Sequence, residues 1–222
     1  GAAEEKLSTF NSQNIANTLH ALSVLLHVKA SSSLFQQSFK VLETIVRSGE
    51  EKSTVTSSEL LCSLRVVDLT CRLFVPEVKM PELLQKMAAE HQLKRNQQAK
   101  SSQLHLSVSK TLNALGIEHL NEDNKKVGMS VDILIPASKA LREAGCLWQG
   151  KWLVIEVDGP FHFLSGAGGG RAEDGFTAHK RRLLRKQMGV EVVSVPYFEW
   201  DALDGEKQKE REYLQAKLVE LP

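Results

Sequence analysis

A chain of 222 residues, 42% hydrophobic and 25% charged, can bury one sizeable core or two small ones, and this composition excludes wholesale disorder. No apolar run approaches the roughly 18 residues needed to span a bilayer, and the opening Gly1-Ala2-Ala3-Glu4-Glu5 is neither a signal-peptide apolar region nor an arginine-rich presequence. A formal charge of +1 does not by itself mark a nucleic-acid binder, so the placement of the charges has to carry that argument.

With Gly rather than Met at position 1, the terminus reads as processed or trimmed, and the lack of a presequence then carries no address. Cys62, Cys71 and Cys146 form no C-x-x-C pair and have no histidine at finger spacing, which argues against a structural zinc site. Cys62 and Cys71 fall in an apolar helical pattern, where a small buried hydrophobe is the default.

From Asn11 or Ser12, the residues Ile15, Leu19, Leu22 and Leu26 recur at helical spacing and predict an amphipathic helix of about 17 residues. Ser33-x-x-Gln36 has capping-box form and opens a second helix with the stripe Leu34, Phe35, Phe39, Leu42, Ile45 and Val46, stopped by Gly49. After a polar loop from Ser48 to Ser58, Thr56-x-x-Glu59 opens a third, carrying Leu60, Leu61, Leu64, Val67 and Cys71 and ending before Pro76. Ile15, Leu19 and Leu22 match Leu60, Leu64 and Val67 at an offset of 45, the pattern of helical-hairpin repeats over 1–80 whose second apolar face needs a neighbour; an ordinary small bundle is the alternative. Pro81 then starts a polar helix over 81–100, rich in Gln and Lys, which reads as a solvated connector.

From Ser101 the pattern becomes mixed α and β. Leu104, Val108, Leu112 and Leu115 mark a helix closed by Gly116, and a polar link leads to the strand Val131-Asp132-Ile133-Leu134-Ile135, stopped by Pro136. The next strand, Trp152 to Asp158, turns Leu153, Ile155 and Val157 to one face and Glu156 and Asp158 to the other, the two carboxylates roughly 6–7 Å apart along the chain. Carboxylates that close need a partner, and a divalent metal, a basic side chain or a polar nucleic-acid complex would each serve. A glycine-rich stretch, Gly166 to Arg171, lacks the Lys-Ser/Thr of a phosphate-cradling loop and reads as a mobile cover over the carboxylate face. A helix, a strand Val190 to Val195 and a terminal helix with Tyr213, Leu214, Leu218 and Leu221 complete an αββαβα order.

The helix between the last two strands carries the charge: His179-Lys180-Arg181-Arg182-Leu183-Leu184-Arg185-Lys186, with Thr177 as the expected N-cap. At about 100° per residue, the apolar face of Leu183, Leu184 and Met188 centres on Lys180, Arg182 and Lys186 point away, and Arg181 and Arg185 lie toward one flank. Lys180 is thus placed to reach the carboxylates and the outward basic residues to meet phosphates, a solvated face with ordinary ion pairs being the alternative for the arginines. Phe161, Phe163, Tyr197, Phe198 and Trp200 serve either as core or as platforms for unpaired bases, with Tyr197 and Trp200, beyond Pro196, the better stacking candidates.

Asp132, the run Ile155-Glu156-Val157-Asp158-Gly159-Pro160-Phe161-His162-Phe163, then Thr177, Lys180 to Leu184, Gly189 and Val193-Ser194-Val195-Pro196-Tyr197-Phe198-Glu199-Trp200 resemble the RAP domain, an RNA-binding domain abundant in apicomplexans, over 101–222. The resemblance implies an organellar protein, mitochondrial or alternatively plastid, that binds rRNA or mRNA in RNA processing, stability or ribosome assembly. RAP domains typically follow helical repeats of the octotricopeptide or FAST-kinase-domain type, which implies that the N-terminal helices meet other ribonucleoprotein subunits and that no membrane is involved. On this reading Arg171, Arg181, Arg182, Arg185, Lys186, Tyr197 and Trp200 contact RNA, and no cofactor is required.

RAP domains are also similar to the PD-(D/E)XK, restriction-endonuclease-like fold. That similarity implies an alternative, an RNA endonuclease in which Asp132 and Glu156 hold Mg or Mn. Asp158 stands where that superfamily's usual lysine stands, Lys180 would supply the missing charge from the next helix, and His162 would act as general acid or base. A non-catalytic protein adaptor is the remaining alternative.

Overall fold

The computed structural model describes residues 6–49, 56–98, 101–122, 129–138, 142–143, 145–146, 148, 150–164 and 171–221. The chain divides into two compact units, 1–98 and 99–222.

In the first unit, a 3-10 turn (Leu7–Thr9) precedes α1 (Ser12–Val24), α2 (Ser32–Ser48), α3 (Ser58–Phe74) and α4 (Glu82–Gln98). Asn11 caps α1 by accepting from the Asn14 amide, as its sequence position suggests. The second and third starts differ from expectation. Ser31 occupies the N-cap of α2, leaving Ser33 inside the first turn where it accepts from the Gln37 amide, and α3 is capped by Ser57, which accepts from Leu60 N–H, so Thr56 lies one residue too early. Gly49 closes α2 in the left-handed region at φ 74°, where a side chain would be strained.

Ile15, Leu19, Phe35, Phe39, Leu42, Leu60, Leu64 and Val67 share one core, so the equivalent apolar positions of α1 and α3 bury together. Leu84 and Ala88 join the same cluster. The helix expected to be a solvated connector therefore packs on the first unit along that apolar edge; its polar remainder hid this in the sequence.

The second unit opens with α5 (Gln103–Ala114) and continues through β1 (Leu120–Asn121), β2 (Ile133–Pro136), β3 (Trp152–Asp158), a 3-10 turn (Pro160–His162), α6 (Gly175–Met188), β4 (Glu191–Pro196), α7 (Tyr197–Asp201) and α8 (Lys207–Val219). The sheet runs in the order β1-β2-β3-β4, antiparallel except for β3 and β4, which are parallel. A parallel pair needs a crossover, and α6 supplies it. Two elements were missing from the sequence reading: β1, too short to show alternation, and α7, a single turn after Pro196. Asp132 falls just outside β2.

Alternation along the strands sorts the sheet faces. Ile133, Ile135, Leu153, Ile155, Val157, Val193 and Val195 pack with Val108 and Leu112 of α5 and Leu214 and Leu218 of α8. Glu156 and Asp158, of opposite parity on β3, belong to the other face. The glycine-rich stretch 165–170 and the Met188 side chain lie outside the described residues.

Candidate RNA-binding face and buried ion-pair network

β3 raises Glu156 and Asp158 into almost complete burial, at 3% and 1% exposure. Two ionised carboxylates would not tolerate this without cations, and α6 brings two. Lys180 Nζ donates to Glu156 Oε2 at 2.5 Å. Arg181 donates to Asp158 Oδ2 and pairs with Glu173, while its guanidinium also donates to Ser194 Oγ at 3.0 Å. Ser194 in turn donates to Asp158 Oδ2 at 2.5 Å. Asp132 Oδ2 accepts the Val157 amide at 2.7 Å, which fixes its carboxylate at the edge of the same face.

Burial pushes the Glu156 carboxyl up to about 7, against the opposing pull of Lys180 and with Asp132 and Asp158 adding to the rise. Burial alone would lower Lys180, but Glu156, Asp132 and Asp158 outweigh it and hold the ammonium above its ordinary value. Lys180 is therefore the permanently charged member of the pair.

The helix start is organised differently from expectation. Asp174 is the N-cap, accepting the Thr177 amide at 2.7 Å. Thr177 lies buried three residues into the helix, its hydroxyl 2.9 Å from His162 Nδ1. That same nitrogen stands 3.6 Å from Asp158 Oδ1. His162 thus joins the network from the loop after β3.

Among the residues expected to meet RNA, the structure separates inner from outer. Arg181 faces inward, its side chain 14% exposed, because a long guanidinium on the helix flank reaches the sheet. Arg185 fastens α6 to β4 through Glu191 Oε1 at 2.8 Å and the Val192 carbonyl at 2.9 Å. Arg182 and Lys186 are exposed, with Arg182 Nη1 3.2 Å from His179 Nδ1.

Trp200 is 5% exposed and packs edge-on against Tyr213 at 5.9 Å, so the expectation that it stacks on bases is corrected: α7 turns it into the core. Tyr197 is half-buried in an aromatic group with Phe163 and Phe198, at centroid distances of 6.1 and 5.4 Å. Among the five candidate rings the exposed one is Phe161, at 97%. Directly after it, the chain pairs with the start of the α6 segment: Phe163 bridges Glu173, and Leu164 N–H donates to the Ala172 carbonyl at 2.8 Å. This pairing sets Arg171 over the Phe198 ring, 4.2 Å from its centroid. Phe161 was only one of five aromatic candidates in the sequence; its position after Gly159-Pro160, where β3 ends, is the signal that places it outside the sheet.

One group of ligand-type side chains joins Asp132, expected as a metal ligand, to two residues that the sequence did not point to. His105, Glu122 and Asp132 each offer a ligand atom, all within 4.8 Å of one another. Their separation along the chain hides them, and α5, β1 and β2 bring them together.

No curated protein matches the chain. A family model, the RAP domain, matches residues 155–217, from the middle of β3 through α6 and β4 into α8, the stretch that holds the ion-pair network, the basic helix and the aromatic group. The chain therefore carries a RAP domain at residues 155–217, following an N-terminal helical region.

Proposed function

We propose that this protein binds single-stranded RNA on the outer side of its RAP domain, with Phe161, Arg171 and the Tyr197–Phe198 pair meeting bases and Arg182 and Lys186 meeting phosphates. The observation that carries the reading is Phe161. A phenylalanine left 97% exposed, two residues before the Phe163 that packs on Phe198, has no folding rationale, and it offers the planar surface on which unpaired bases stack.

The RNA is organellar, in a mitochondrion or plastid, and the activity is RNA processing, stability or ribosome assembly. Support comes from the arrangement itself, a RAP domain following helices whose apolar positions repeat between α1 and α3. On this reading those helices contact other ribonucleoprotein subunits. The α/β unit is read as PD-(D/E)XK-like, supported by a mixed sheet bearing Asp132 and Glu156 on one face.

RNA cleavage with Mg or Mn is the weaker alternative. Lys180 and Arg181 already neutralise Glu156 and Asp158 at hydrogen-bonding distance, and a metal at Glu156 would have to displace the partly buried Lys180 ammonium. Crosslinking of bound RNA, mapped to residues, tests the proposal. Crosslinks at Phe161, Tyr197 and the outer face of α6 support it, whereas crosslinks confined to residues before 99 would move the function to the helical unit.

A further inference from the structure

We propose that His105, Glu122 and Asp132 form a binding site for one divalent transition-metal ion, separate from the acidic pair on β3. The argument begins at His119. Its Nδ1 lies 2.9 Å from the Ile117 carbonyl, which can only accept, so Nδ1 carries the proton and Nε2 presents a lone pair. Ser109 Oγ, 2.7 Å from that Nε2, must spend its single proton there. The serine oxygen then accepts from Asn121 Nδ2 at 3.1 Å, which turns Asn121 Oδ1 toward His105 Nε2 at 2.9 Å. Reversing the amide would set its carbonyl against a serine oxygen whose proton is already used.

His105 Nε2 therefore faces the Asn121 carbonyl, which leaves Nδ1 turned toward Glu122 Oε1 at 3.3 Å. His105 is 3% exposed, and Glu122 Oε1 also accepts from Ser101 Oγ at 3.2 Å. An imidazole nitrogen and two carboxylates gathered this closely offer a shared cation three ligand atoms. At roughly 2.1 Å from each ligand in tetrahedral geometry, a metal separates its donors by about the 3.3 Å found between His105 Nδ1 and Glu122 Oε1, and the Asp132 oxygen, within 4.8 Å of both, has to close in to complete the set.

The backbone secures the third ligand: Glu122 N–H donates to the Asp132 carbonyl at 2.8 Å, joining the end of β1 to the approach to β2. The Val157 amide holds one Asp132 oxygen. Two carboxylates and a neutral imidazole match a dication, and the nitrogen ligand favours zinc, manganese or cobalt over magnesium or calcium. The Ile117–His119–Ser109–Asn121 chain orients the imidazole, as the outer hydrogen bonds of metal-ligating histidines do.

Cobalt(II) titration of the full chain, followed by its d–d absorption, tests the site. The expected result is saturable binding without a thiolate charge-transfer band, weakened about tenfold or more in H105Q and E122Q and unchanged in E156Q. Glu122 lies nearer the surface than His105, so E122Q carries the test if H105Q does not fold. No binding by the native chain, a thiolate band, or affinity that survives both H105Q and E122Q overturns the proposal. So does loss of binding in E156Q alone, which would place the ion on the β3 carboxylates instead.

Discussion

Lys180 reaches across from α6 to meet Glu156 of β3 at 2.5 Å, a cation and a carboxyl that share one buried site but differ in how firmly each keeps its charge. The folded carboxyl titrates near 7, well above its ordinary value of 4.5. A carboxyl raised in this way binds a proton in the folded state at pH values where the unfolded chain has released it. Its contribution to stability is fully present below about pH 4.5 and is lost as pH rises through about 7. Urea unfolding of the native chain between pH 5 and 8 should show a decline to which Glu156 contributes on the order of 3 kcal/mol. In E156Q that component should disappear, and an identical slope in both proteins would refute the assignment.

Arg181 is the costliest basic residue of α6 to remove. Its loss leaves Asp158 buried and short of a cation, for which about 3–5 kcal/mol is typical, whereas the exposed Arg182 should cost under about 1 kcal/mol. Denaturant midpoints of R181A and R182A, compared at constant m, decide the ranking.

The aromatic residues should divide in the same way. F161A should leave stability within about 0.5 kcal/mol yet weaken single-stranded RNA binding by about 1–3 kcal/mol, the value of one base stack. W200A should do the reverse and cost about 3–5 kcal/mol in folding. Equal RNA affinity in F161A and the native chain would remove the main support for the proposed face.

Phosphate contact has a separate signature. For single strands the logarithm of affinity falls with the logarithm of salt at about 0.7 per neutralised phosphate. R182A and K186A should each flatten that slope by roughly this amount, while R185A should act less, since its guanidinium is already bound to Glu191 and Val192. Filter binding across a salt series would show the order.

Much of this architecture could be read from spacing alone. β3 runs from Trp152 to Asp158 as alternation indicated, because its apolar side faces a core and its acidic side faces α6. Lys180 reached Glu156 as the helical wheel placed it. The errors have physical causes. A wheel gives directions but not reach, so Arg181 looked peripheral although its long side chain spans to Asp158. Thr177 looked like a cap because Asp174, the residue that takes the role, precedes Gly175 and Phe176 rather than an apolar run. Trp200 depended on a one-turn helix that no periodicity can announce. The His105 cluster depended on β1, two residues long, and on a hydrogen-bond chain that exists only after folding.

The contacts of Arg181 also order events in time. Its partners lie on β3, on β4 and in the segment before α6, so they converge only when the parallel crossover has closed. We expect such interactions to form after the rate-limiting step and to contribute little to its barrier. Replacing Arg181 should therefore leave the refolding rate nearly unchanged and accelerate unfolding by almost the whole loss in stability. In this domain the cation that neutralises Asp158 is also the latch that sets how long the native sheet persists.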